Sequence, residues 1–347
     1  MHPTLYLTLP IYYRSWEVLD VLRKLEKSQW LSPSELERIQ LKKLKALVKH
    51  AYENVPFYHK TFRKAKLKPP DISSLEDIQK IPITTKDDIR NNFPNKTVAK
   101  NYDIRRLRKV ETGGSTGKPL SFFFDNRCLH HRAAAFQRFA SWFGFHPGVK
   151  HVIFERPHYP SSPKITSMLE LIVKRRLEFL PHKITKQALR EQVSELKRFK
   201  PRILIGYTSL LFLLANFLKQ EDIKDINPTA IVTQAETLFE SQRKVIESAF
   251  NCPVFNHYGL KEVSVIAQQC DQRSYLHINA EGRIVECLRR GENVSFGEKG
   301  EIVVTDLDNY AMPFIRYNTD DVGILTDDSR ACGRGLPLIK EVMGRAD

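Results

Sequence analysis

The segment Thr112-Gly113-Gly114-Ser115-Thr116-Gly117-Lys118-Pro119 combines glycines, hydroxyls and a lysine in one short stretch. Glycines let a backbone curl closely round an anion. Ser115 and Thr116 add hydroxyl donors and Lys118 adds charge, so such a loop can hold phosphate on its own N–H groups. It is not a Walker A loop. Gly113 and Gly117 are separated by three residues rather than four, and Pro119 stands where Ser or Thr would hold magnesium. By composition alone it serves equally well as an ordinary turn. The apolar run Phe122-Phe123-Phe124, closed by Asp125, reads as a strand after it.

Three further segments carry chemistry: Tyr258-Gly259-Leu260-Lys261-Glu262, Arg316-Tyr317-Asn318-Thr319-Asp320-Asp321 and Gly344-Arg345-Ala346-Asp347. With the glycine-rich loop, and in this order, they resemble the signature motifs of adenylate-forming enzymes, the acyl-CoA synthetase and peptide-synthetase adenylation superfamily. Leu47-Val48-Lys49-His50-Ala51-Tyr52-Glu53-Asn54-Val55-Pro56-Phe57-Tyr58 resembles the opening of phenylacetate–CoA ligases, as do Leu75 to Ile78 and Pro82 to Lys86. Gly333-Arg334-Gly335-Leu336-Pro337 is similar to the capsule-biosynthesis CapK branch. The resemblance covers nearly the whole chain from about residue 40.

Such enzymes join a carboxylate to ATP as an acyl-adenylate, then pass the acyl group to a thiol or another nucleophile. The resemblance implies ATP, Mg2+ and coenzyme A as cofactors and a small carboxylic acid as substrate. It places Ser115, Thr116, Gly117 and Lys118 over the β- and γ-phosphates. It places Ala235, Glu236 and Thr237 along the adenine pocket, and Asn256, His257, Tyr258 and Gly259 as the adenine platform, Tyr258 stacking on the purine. A helix N-terminal acid is the plainer reading of Glu236, and a core tyrosine that of Tyr258. Glu262 matches the acid that holds magnesium, and a carboxylate suits a hard cation. Asp321 matches the acceptor of the ribose hydroxyls, and Arg345 an arginine near ribose and phosphate. Tyr207 and Gln234 are plausible walls of the acyl pocket.

Departures accompany the match. Lys261 stands where most relatives carry Thr or Ser beside the α-phosphate, and Asp320 where many have Gly. Relatives of this branch can carry structural Zn2+ on a Cys/His pair followed by Cys-x-Cys. Here Cys270, His277 and Cys332 supply three ligands and Arg330 replaces the other cysteine. The family's lid domain follows the hinge at Asp347, where this sequence stops. The expectation is therefore a large domain without its lid, binding nucleotide but adenylating poorly.

The elements that position these groups are partly readable. Ser32-Pro33-Ser34-Glu35 is a capping box opening a helix of about five turns, with Leu44, Leu47, Val48 and Ala51 on one face. Leu67 to Pro82 reads as a surface connection, Pro157 to Pro163 as an exposed loop and Gln187 to Phe199 as a basic amphipathic helix. Short apolar runs at Ile203-Leu204-Ile205, Ala230-Ile231-Val232-Thr233 and Pro253-Val254-Phe255-Asn256 alternate with helical patterns from about Ser209 and Glu240. That alternation predicts parallel-sheet α/β layers. Strands at Gly282 to Cys287 and Glu301 to Thr305 predict a smaller β-rich subdomain. The organisation expected is a helical region over 1–110, a nucleotide- and acyl-binding core over 111–275, the β-rich part over 276–343 and the start of a hinge at 344–347. The fold class is α/β, the large N-terminal domain of the adenylate-forming fold.

Composition narrows the partners. The 347 residues hold 41% hydrophobic and 27% charged residues, an ordinary globular balance with enough chain for a sizeable core. Five cysteines without a CxxC pair exclude a disulfide scaffold and favour a reducing compartment. No segment has the 18 or more apolar residues that span a bilayer, and Met1 to Tyr13 lacks the basic start and cleavage site of a secretory signal. The expected location is the cytoplasm. The net charge of +15 gathers around Lys42 to Lys49, Arg105 to Lys109 and Lys174 to Arg176. No nucleic-acid signature accompanies it, so a solvated basic face with weak attraction to membrane surfaces is expected. Rival readings are transfer of the acyl group to an amine or sugar, a non-catalytic nucleotide-binding or scaffold protein, and simple nucleic-acid binding.

Overall fold

The computed structural model describes residues 5–13, 15–112, 119–154, 174–179 and 185–345. The loop Gly113 to Lys118, the stretch Pro157 to Pro163, and Ala346 and Asp347 lie outside them.

Four helices open the chain: α1 (Leu5–Tyr13), α2 (Glu17–Ser28), α3 (Pro33–Asn54) and α4 (Pro56–Lys64). The capping box forms, with Glu35 accepting from the Ser32 N–H at 2.9 Å. Leu44, Leu47, Val48 and Ala51 make the buried stripe of α3. Its 22 residues give about six turns, one more than the spacing predicts. It stops at Val55, which Pro56 holds extended.

Leu67 to Pro82 is more than a surface connection. Ile72, Ile78 and Ile81 are buried and join Val48, Tyr58 and Phe62 in one core with Ile284, Leu307 and Ile315 of the β-rich part. The prolines shape the path while these isoleucines anchor it. The segment leads into α5 (Lys86–Asn92), capped by Thr85 and Asp88.

The glycine-rich loop joins two short strands, β1 (Arg108–Glu111) and β2 (Ser121–Phe124), paired antiparallel from Arg108↔Phe124 to Glu111↔Ser121. Phe122, Phe123 and Phe124 are buried beside Phe314 and Tyr317. Next come α6 (Asn126–Ser141), β3 (His151–Phe154), β4 (Arg176–Phe179), α7 (Lys186–Phe199), β5 (Ile203–Tyr207) and α8 (Thr208–Gln220). Then follow β6 (Ala230–Gln234), α9 (Glu240–Phe250), β7 (Val254–Leu260), β8 (Ser264–Gln269) and β9 (Leu276–Ile278). The chain closes with β10 (Arg283–Arg289), β11 (Glu292–Asn293), β12 (Lys299–Asp306), β13 (Tyr317–Thr326) and β14 (Leu338–Arg345).

These strands form one mixed sheet in the order β11-β10-β12-β13-β14-β9-β8-β7-β6-β5-β3-β4. Its β4-β3-β5-β6-β7 half is parallel, as the strand and helix alternation predicts, and the remainder is antiparallel. The halves meet in β7. This strand pairs with β6 over Val254 to Asn256 and with β8 from His257 onward. Beyond Asn256 it has left β6, which opens a crevice at the carboxyl ends of the parallel strands, where open α/β sheets bind ligands.

Buried ion pairs lock the layers together. Arg138 bonds Glu281 at 2.8 Å, Arg283 and Arg132 share Asp306, and Arg316 bonds Glu286 at 2.9 Å. Among the described residues, no helix is long and apolar enough to cross a membrane.

Candidate functional site

A cavity of about 340 Å³ occupies the crevice. Its walls are Ala235, Glu236 and Thr237 after β6, Asn256 to Leu260 of β7, Asp321 of β13, and Val342, Gly344 and Arg345 of β14. Four stretches from distant parts of the sequence thus converge on one space. Its size suits a nucleotide-scale ligand.

Tyr258 and Asp321 form the centre. The Tyr258 hydroxyl donates to Asp321 Oδ2 at 2.8 Å, and Arg345 Nε lies 3.4 Å from Asp321 Oδ1. Burial pushes the Asp321 carboxyl above the usual range, while Arg345, Tyr258 and Lys86 pull it back. The result is a carboxylate inside the protein with its charge partly balanced and an edge facing the cavity. Gly259 is required by the β7–β8 pairing. A Cβ there would lie 2.7 Å from the Ser264 carbonyl oxygen. Gly344, at φ +102°, adopts a backbone that side chains avoid and leaves room beside Thr237.

His257 donates from Nδ1 to Gln268 Oε1 at 2.8 Å, and burial lowers its pKa. It is therefore neutral, with Nε2 left as an acceptor. The Gln268 amide is held in turn by the Asn256 carbonyl.

Glu236 lines the cavity, but its carboxylate is engaged elsewhere. It accepts from the Ser209 N–H at 2.7 Å and from the Ser209 hydroxyl at 3.0 Å, capping α8. Glu236 is therefore an acid at a helix N-terminus through space, on α8 and not on the helix that follows it in sequence. Tyr207 and Gln234 are register partners at the ends of β5 and β6 and do not belong to the cavity wall.

Lys261 and Glu262 follow β7, outside the cavity wall. Lys261 Nζ reaches the Glu111 carbonyl at 3.4 Å, next to the start of the glycine-rich loop. Glu262 is buried and accepts from the Tyr317 hydroxyl at 2.9 Å. Ser115, Thr116, Gly117 and Lys118 are outside the described residues, although Thr112 N–H bonds the Leu120 carbonyl at 2.9 Å and fixes the loop's mouth. Asp320 has φ +61°, which explains why glycine is at home at this position. Val342 escaped the sequence reading, while Leu260 and Lys86 stood inside the motifs without a role assigned to them. The Thr-Thr-Lys stretch at residues 84–86 gave no chemical signal of its own.

Away from this site, Cys270, His277 and Cys332 bring their donor atoms within 4.8 Å of one another. His277 Nε2 lies 3.3 Å from Cys270 Sγ and 3.5 Å from Cys332 Sγ. Ligands on a tetrahedral zinc stand about 3.5–3.8 Å apart, so the three donors lie close to the spacing one ion would need. The fourth does not: Arg330 turns its Nε to the Leu336 carbonyl at 2.7 Å. Among the described residues the closed set of four is incomplete.

No family model matches the chain. Protein CapK of Staphylococcus aureus is 28% identical over 291 residues, 83% of this chain and 63% of CapK. The phenylacetate-coenzyme A ligase of Escherichia coli K12 is 28% identical over 334 residues, covering 93% of this chain and 74% of the ligase. That of Thermus thermophilus is 26% identical over 326 residues, 91% and 72% of the two chains. An open conformation of 2-hydroxyisobutyryl-CoA ligase, crystallised with 2-HIB-AMP and CoA, superposes with a TM-score of 0.76 at 20% identity. It covers 91% of this chain and 76% of its own. The architecture is that of adenylate-forming CoA ligases.

Proposed function

The chain is a homologue of phenylacetate–coenzyme A ligases and of CapK, and on that premise we propose that it belongs to an ATP-dependent ligase acting on an aryl or acyl carboxylate. The reaction joins a carboxylate oxygen to the α-phosphorus of ATP and releases pyrophosphate. The sulfur of coenzyme A then attacks the acyl carbon and releases AMP.

The single observation that carries this reading is the convergence of residues 235–237, 256–260, 321 and 344–345 on one cavity of nucleotide scale. Tyr258 offers a ring face for adenine, and Asp321 accepts from the vicinal ribose hydroxyls with two oxygens of one side chain. Arg345 and Lys261 supply positive charge where two anions must approach, which lowers the barrier by electrostatic screening and alignment. Glu262 is the acid that would hold magnesium, and the metal would neutralise charge on the phosphates. The Ser115 to Lys118 loop would cover the outer phosphates from the mouth set by Thr112 and Leu120. Tyr207 and Gln234, side by side at the strand ends, would border the acyl chain. Cys270, His277 and Cys332 would hold zinc through three protein ligands, more weakly than a closed site.

Carboxylate-dependent exchange of pyrophosphate into ATP, screened over aryl and aliphatic acids, tests the first step. Thioester formation with coenzyme A, set against amine and sugar acceptors, tests the second. Absence of ATP and AMP binding by the wild-type chain would refute the reading outright.

A further inference from the structure

Lys86 is the first residue of α5, where the helix dipole disfavours a cation. Its helix has an acid for that place: Asp88 accepts from Thr85 in the capping box. Lys86 instead leaves the helix. Its ammonium contacts Asp320 Oδ2 at 2.7 Å and donates to the Thr319 carbonyl at 3.1 Å. The side chain is mostly covered, with 18% exposed.

The place it reaches is a break in the sheet. Val303 pairs with Asn318 and Glu301 with Val322, so Thr319, Asp320 and Asp321 face only Ile302. A bulge of this kind strips backbone groups of their ladder partners, and those groups need others. The Thr319 hydroxyl takes one role, donating to the Ile302 carbonyl at 2.7 Å and accepting from the Asp321 N–H at 3.1 Å. The Thr319 carbonyl is bonded by two cations, Lys86 and Arg345. Asp320 bends into the left-handed region with its N–H on Asn318 Oδ1. The next residue is Asp321.

The segment before α5 is pinned to the same part of the chain by an isolated bridge between Thr84 and Tyr317. Thr84 bonds the Arg316 carbonyl at 2.8 Å and receives the Asn318 N–H at 2.9 Å. The base from which Lys86 reaches is therefore fixed relative to β13.

We propose that Lys86 is a positioning residue for nucleotide binding, clamping the Thr319–Asp320 bulge so that Asp321 faces the ribose. This deepens the nucleotide reading and rests on it. Arg345 shares the Thr319 carbonyl but also borders the cavity itself. Lys86 is absent from the cavity wall and reaches Asp321 through the bulge it clamps and through its charge.

The test measures equilibrium affinities for AMP, 2′,3′-dideoxy-AMP and GMP by calorimetry. In the wild type, AMP is expected to outbind its dideoxy analogue, with Asp321 receiving the hydroxyls. Lys86→Met is expected to weaken AMP about fivefold, the scale of one partly exposed charged contact, and to shrink the AMP-to-dideoxy ratio by the same factor. The AMP-to-GMP ratio stays unchanged, because the adenine platform is untouched. Lys86→Arg, which keeps a donor cation, restores the ribose preference. Asp320→Asn keeps the left-handed turn and removes only the ion pair, so it loses part of the same ratio. It decides the matter should Lys86→Met fold poorly. An unaltered AMP-to-dideoxy ratio in the folded Lys86→Met variant, or in Asp320→Asn should that variant not fold, overturns the proposal. A wild type that binds AMP without ribose preference overturns it too, by removing the role of Asp321. A wild type that binds no AMP sinks the nucleotide reading and this one with it.

Discussion

Tyr258→Phe isolates the hydroxyl that reaches Asp321 and leaves the ring in place. The bond is 2.8 Å long, from a buried phenol to a buried carboxylate. A hydrogen bond to a charged group is worth about 1.5–3 kcal/mol, and its loss leaves Asp321 facing Arg345 Nε at 3.4 Å without the phenol donor. AMP affinity is therefore expected to fall at least tenfold, since about 1.4 kcal/mol is a factor of ten. Tyr258→Ala removes the ring as well and adds a stacking loss of about 1–3 kcal/mol. The pH dependence separates the two effects. Burial raises the Asp321 pKa, and the Tyr258 hydroxyl holds it down. On the proposal that Asp321 accepts from ribose, the accepting form is the ionised carboxylate, so binding is expected to strengthen as pH rises through the folded pKa, above the usual value of about 3.9. Without the phenol that limb moves to higher pH. The folded-state preference for the protonated acid contributes stability below the unfolded pKa and loses it as pH rises through the folded one. Titration calorimetry of AMP from pH 4 to pH 8, with thermal melts alongside, reads both. A Tyr258→Phe protein with wild-type affinity and an unmoved acid limb would refute the pairing of this ring with this acid as the ribose acceptor.

Gly259→Ala should destabilise the β7–β8 pairing by about 1–3 kcal/mol, because its Cβ meets the Ser264 carbonyl at 2.7 Å; an unchanged urea midpoint would contradict the tight approach. Arg316→Met leaves Glu286 charged and buried and should cost about 3–5 kcal/mol in chemical denaturation, with Arg316→Met/Glu286→Leu recovering much of it. A double variant no more stable than the single would argue against an unpaired acid as the cause. Purified protein should carry substoichiometric, chelator-removable zinc by elemental analysis, and Cys332→Ser should abolish it. Zinc retained at full occupancy by Cys332→Ser would exclude this cysteine as a ligand.

Local rules made much of the fold legible. The runs at Ile203 and Ala230 are strands because apolar β-formers end at helix starts, and Ser32 to Glu35 caps a helix by chemistry contained in four residues. The cavity residues of β7 and β13 were legible by resemblance, not by periodicity. What stayed hidden depends on contacts between distant residues. Nothing near Glu236 announces that its carboxylate caps the helix after β5. Nothing near Ile72 or Ile81 announces that Ile284 and Ile315 will cover them. The backbone in and around the site also breaks local preference: Ala235, Ser264, Arg316 and Asp320 all hold φ between +45° and +66° without being glycine. Such a backbone persists only where surrounding contacts over-determine it. Arg316 is held by Glu286 and by the Ile81 carbonyl, 235 residues earlier in the chain. Asp320 is held by Lys86 and Asn318. A bulge stabilised from so far away has no signature in a window of neighbouring residues. On the β12 side the irregularity leaves Thr319, Asp320 and Asp321 against Ile302 alone, while Asp321 stays paired with Arg345 on the β14 side and accepts from Tyr258.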